Sequence, residues 1–174
     1  MSFRKLTWIV SSVLLLLLFS CRSKTETSSL KAIPPLQEQL RKDSLALVDL
    51  QKKYQIPLRN EFRQCDSMLQ YLPEEQVGEC FDILDLAQAY LGQFDEMLPI
   101  MRNSLSYTQQ QLVNLQNDVR TGYLSDSLAS SYLIDEQAVA DTLHQRILYF
   151  QDRLAKQDRE LDILKEHMLN SIQQ

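Results

Sequence analysis

Three glycines, five prolines and three cysteines are all that this 174-residue chain has of the residue types that turn, stop or staple a fold. Folds built from many short strands need turn residues roughly every 8–12 positions, so this scarcity points to a few long elements. Histidine is scarcer still, with only His144 and His167. On one helix, 23 residues apart, they stand ~35 Å from each other and cannot share a site; both are read as solvent-facing. No Gly-rich phosphate loop, GxSxG or HExxH occurs. The expectation is therefore a protein that is not an enzyme, with no cofactor and no metal. Its carboxylates, Asp82, Asp85, Asp95, Glu96, Asp135, Glu136, Asp158, Glu160 and Asp162 among them, are read as the solvated faces of amphipathic helices, with Asp152–Lys156 as a surface pair.

Positive charge is also short. Eighteen Lys and Arg face 23 Asp and Glu, a net charge of −5. Nucleic-acid affinity rests on neutralising phosphates, so such a partner is not expected. An apolar run long enough to span a bilayer, roughly 20 residues, is missing too. The nearest approach is Trp8 to Phe19, twelve residues interrupted by Ser11 and Ser12 and preceded by Arg4 and Lys5. Those are the dimensions of a secretory leader.

That run ends in Leu18-Phe19-Ser20-Cys21, which resembles the lipobox of bacterial lipoproteins; only Phe19 is bulkier than usual for its place. The resemblance implies cleavage before Cys21 and attachment of diacylglycerol and a further acyl chain, such as palmitate, to that cysteine. Several acyl chains, at ~0.8 kcal/mol per buried methylene, make a stable membrane anchor. Residues 1–20 would be a discarded signal peptide, and losing Arg4 and Lys5 would take the net charge from −5 to −7. The residue after the acceptor is Arg22, where an Asp would imply inner-membrane retention. The resemblance thus implies the cell envelope, at the periplasmic face of an outer membrane. Residues 21–35, rich in Ser, Thr and Lys and closed by Pro34-Pro35, read as a flexible tether with a reach on the order of 20 Å.

From residue 36 to 172 the chain reads as all-α: an antiparallel three-helix bundle or coiled-coil rod, with helices at 36–72, 74–121 and 126–170. Leu36, Leu40, Leu47, Leu50 and Tyr54 share a face, which restarts as Leu58, Phe62, Cys65, Leu69 and Leu72. The step from Tyr54 to Leu58 is one residue too long for the pattern, and Pro57 predicts a kink there. Pro73-Glu74-Glu75 is a helix start. The second helix carries two rows at strict sevens, Leu84, Leu91, Leu98, Leu105, Leu112 and Val119 beside Cys80, Ala87, Phe94, Met101, Thr108 and Leu115. These are the a and d positions of a coiled-coil seam, with Pro99 off it at b. Gly122 and Ser125 or Asp126 mark a tight reversal. The third helix places Leu143, Ile147, Phe150, Leu154, Leu161, Leu164 and Met168 on its face. Gln157 holds a skipped core place, while Leu128, Tyr132 and Val139 extend the face upstream.

Cys65 and Cys80 stand eight residues before and seven after Pro73, on the seams of adjacent helices. A hairpin there brings them level, and in an oxidising compartment the expectation is a disulfide, with two buried thiols as the alternative. Tyr71, Tyr90, Tyr107, Tyr123, Tyr132 and Tyr149 flank the core or form a partner surface. The function expected is that of a membrane-anchored structural or interaction protein. It would meet the membrane through lipid on Cys21, and a protein partner or a second copy through its helical seams. A periplasmic holdase and a non-covalent cell-wall-binding module are the other readings.

Overall fold

A computed structural model describes residues 28–172, and among these every long element is a helix and none is a strand. Helix α1 (Ser28–Leu50) leads through a single π turn (Gln51–Gln55) into α2 (Ile56–Met68), and together they form one continuous arm. A 3₁₀ turn (Leu69–Tyr71) and Pro73 then reverse the chain into α3 (Glu74–Thr121), which a second turn joins to α4 (Asp126–Ile172). Each of the three long pieces packs against the other two. Hydrogen bonds set their directions. Ser29 meets Asp126, Asp43 meets His144 and Cys65 meets Leu161, so the first arm and α4 run the same way. Gln55 meets Asp95, and α3 runs opposite. At 1.5 Å per residue, the 48 residues of α3 make a rod ~70 Å long.

The seam of α3 is occupied as its sequence predicts. All twelve residues of the two heptad rows are buried, and Phe94 and Phe150 meet edge to face at the waist, ring centroids 5.3 Å apart. Pro99 lies inside α3 on the exposed side. Gly122 adopts the left-handed conformation (φ 75°) that ends the helix, letting Tyr123 N–H donate to the Asp118 carbonyl.

Three expectations need correction here. The described residues are helical from Ser28, so residues 28–35 belong to α1 and not to a tether; Pro34 and Pro35 lie within the helix. Proline removes a donor from a helix interior, but tertiary packing holds this segment in place. Ile33 is fully buried, and the Ser29 N–H donates to Asp126 Oδ1 at 3.1 Å. Residues 1–27, which include Cys21 and the expected signal peptide, lie outside the described residues.

Second, the misfit at Pro57 is absorbed by the π turn. Counting three residues past Tyr54 would put Pro57 in the core; the wider turn moves the inward place to Leu58, which is fully buried, and leaves Pro57 exposed. Third, the upstream face of α4 is not Leu128, Tyr132 and Val139, all of which are exposed. Counting back from Leu143 by alternating threes and fours gives Ala140, Glu136, Leu133 and Ala129. The two alanines are fully buried, while Leu133 and Glu136 are half-buried.

Candidate functional site

The core carries polar residues that a simple leucine seam would not. Asp43 occupies the inward place between Leu40 and Leu47 and is 3 % exposed. Its Oδ1 lies 2.7 Å from His144 Nδ1, while its Oδ2 is buried without a hydrogen-bond partner. His144 therefore faces the α1–α4 interface rather than water alone, contrary to the sequence expectation. Asp141, one turn earlier, accepts from Gln39 and Gln137, extending the polar strip. Further along, Gln157 fills the core place assigned to it, donating to Glu160 at 2.9 Å, with its own carbonyl oxygen buried and unpartnered.

Around the π turn the contacts run to α3 instead. Gln55 donates to Asp95, Arg59 pairs with the same carboxylate, and Arg102 donates to Gln51. Below it, Glu61 faces Asp158 and Asp162 across the α2–α4 interface. Burial pushes the Glu61 carboxyl above its usual range, the two aspartates add to this, and Lys165 partly offsets it. Asp158 is raised in the same way, by burial first and then by Asp162. Burial likewise raises Glu136, against a hydrogen bond from Thr108 that lowers it.

Cys65 and Cys80 are both buried and both free, so the expected disulfide is absent. Cys65 Sγ donates to the Leu161 carbonyl at 3.8 Å, whereas Cys80 lines the groove between α3 and α4 that Leu164 and His167 also line. Burial pushes both thiols up, with Glu79 adding to the effect at Cys80. A raised thiol favours the protonated form at neutral pH.

A groove of about 560 Å³ runs between the first turns of α3 and the last turns of α4. Gln76, Cys80, Ile83 and Leu86 line one wall, and Ile163, Leu164 and His167 the other. Its apolar lining is incompletely covered: Leu86 is 42 % exposed and Ile163 68 %. Four carboxylates, Glu75, Glu79, Asp82 and Glu160, stand along it without a Lys or Arg among the lining residues. Glu160 is held by Lys156 at 3.4 Å, the partner that sequence spacing had given to Asp152. Farther up the same interface Arg153 is stacked between two tyrosines, 5.7 Å from the Tyr90 ring and 5.5 Å from that of Tyr149. These two tyrosines thus hold a cation, whereas Tyr71, Tyr107, Tyr123 and Tyr132 stand exposed.

Sequence reasoning did not find this groove. Ile83, Leu86 and Ile163 lie off the a and d rows, and their apolar character at positions that face outward was the available signal. The groove sits at the end of the rod opposite Ser28, which is fastened beside Asp126. Among the described residues no group of His, Cys, Asp or Glu could hold a metal, and no helix is long and apolar enough to cross a membrane. The two imidazoles lie far apart on α4, His144 paired with Asp43 and His167 beside the groove. No protein-family model, curated protein or solved structure matches the chain.

Proposed function

We propose that this chain is a membrane-anchored lipoprotein of the cell envelope, a helical rod that docks onto or spaces an envelope assembly and performs no catalysis. One observation carries the reading: a lipobox-like stretch ending at Cys21 stands only seven residues before Ser28, which is already part of a continuous helical bundle. At ~3.5 Å per residue, seven residues reach no farther than about 25 Å, so an anchor on Cys21 keeps the Ser28 end close to the lipid surface. A rod standing upright from that point would hold its other end ~70 Å away. The buried, protonated thiols and the ~35 Å between His144 and His167 along α4 support a mechanical role over a chemical one.

Mass spectrometry of the protein extracted from membranes tests this directly. The expected terminus is Cys21 carrying diacylglycerol and an amide-linked acyl chain, and Cys21→Ser should move the protein out of the membrane fraction. An unmodified Met1 terminus, or a Cys21→Ser protein that fractionates as before, overturns it.

A further inference from the structure

The groove at the α3–α4 end has the features of a docking site for a helix, and its charge says which kind. From the Ser28 end, the arm up to Met68 puts roughly 60 Å of helix between any lipid anchor and this groove. Between Glu75 and Leu86 the open stretch covers ~17 Å of helix axis, about three turns. Its apolar strip runs along the seam between two helices, the shape that receives anchors spaced i, i+3 and i+7 on an amphipathic helix. Exposed apolar side chains form the strip (Leu86, Ile163), and the carboxylates of Glu75, Glu79, Asp82 and Glu160 flank it. Like charges at one edge repel, and an occupant with the opposite sign removes that cost.

We infer that this groove binds an amphipathic helix of a partner protein, with apolar anchors on one face and Lys or Arg on its flanks. Anionic lipid is excluded as occupant by the acidic rim, since a negative membrane surface attracts basic segments and repels acidic ones. A second copy of this chain carries net negative charge and is the less complementary occupant; self-association of the full chain through this groove would overturn the inference. The inference identifies the docking end of the rod proposed above but does not depend on the lipid.

The test is a titration of the full chain, in mild detergent, with a fluorescent helical peptide about three turns long, leucines at i, i+3 and i+7 and lysines elsewhere. Saturable binding is expected at low salt, weakened at least ~10-fold by Glu79→Lys with Asp82→Lys and similarly by Ile163→Asp. These positions are exposed, so helical content and melting should be unchanged in both variants. A photoreactive group on the peptide should crosslink within residues 76–86 and 160–167. Equal binding of a peptide with glutamates in place of the lysines would overturn the inference, as would unchanged affinity in the charge-reversed protein. So would saturable binding of the Cys21→Ser protein, which lacks the anchor, to phosphatidylserine vesicles. Cys21→Ser should leave the peptide affinity as it was, so a failed anchor and a failed groove give different results.

Discussion

From Cys80 to Val119, α3 buries a residue at every alternating step of four and three, and only Thr108 among the twelve is polar. The first arm follows the same alternation from Ser29, but it puts Asp43 in the core, crosses three prolines, and takes eight residues from Leu50 to Leu58 where seven would fit. Both pieces lie in one bundle and meet the same neighbours. The difference shows that α3 is specified by its own repeat, whereas the first arm is specified by what it packs against. Its register is held by Asp126 at the start, His144 in the middle and Asp95 at the π turn.

If that contrast is right, the largest effect comes from the waist of α3. Phe94 is fully buried against Phe150, and Phe94→Ala should cost about 3–5 kcal/mol in urea unfolding. A loss under ~1 kcal/mol would mean that α3 does not carry the core.

Next comes the polar layer of the first arm, where two changes should have opposite signs. His144→Ala leaves the Asp43 carboxylate buried with neither oxygen paired, at a cost of about 2 kcal/mol. Asp43→Leu gives the arm the residue α3 would have there and strands only a half-exposed imidazole, so a gain of about 1 kcal/mol is expected. Equal losses from both would show that the pair stabilises the fold instead of fixing its register.

The smallest effect is in pH. Glu61, Glu136 and Asp158 all have carboxyls raised in the folded state, with burial as the first cause. The folded protein then binds protons more tightly than the unfolded chain between the ordinary carboxylate value and the raised one. Stability should therefore rise as pH falls from neutral through that window and level off below it. Melting temperature should climb by a few degrees at most, and Glu61→Gln should flatten the slope. A fall over the same interval would mean that stabilising ion pairs outweigh these groups.

How much of this could be read from the chain alone follows the same division. The rows of α3 needed no tertiary information, because sevens of leucine have one physical solution. Gly122 and Pro73 marked their turns for equally local reasons. The start of α1 was hidden because Pro34-Pro35 is a strong local stop signal, and the packing of Ile33 and Ser29 that overrides it involves residues about a hundred positions away. Ala129 and Ala140 were passed over because a core lined with alanine looks, by composition, like a surface. Asp43 occupied the one gap in its stripe, between Leu40 and Leu47, and that gap was the clue. The cysteines were placed on the right faces, but being level does not make two side chains point at each other. Nothing in the heptads pointed to the groove, which depends on how far the ends of two helices stand from the third.

The clasp between the beginning of α1 and the beginning of α4 has a mechanical consequence. The Ser28 and Ser29 hydroxyls and the Ser29 backbone N–H all donate to Asp126, so a pull applied upstream of residue 28 enters two parallel helices at the same level. Load introduced in that way slides α1 lengthwise along α4 and does not peel it off from one end. Sliding must break Asp43–His144 and Cys65–Leu161 together with every apolar contact between them. A rod tethered at this end yields late and all at once.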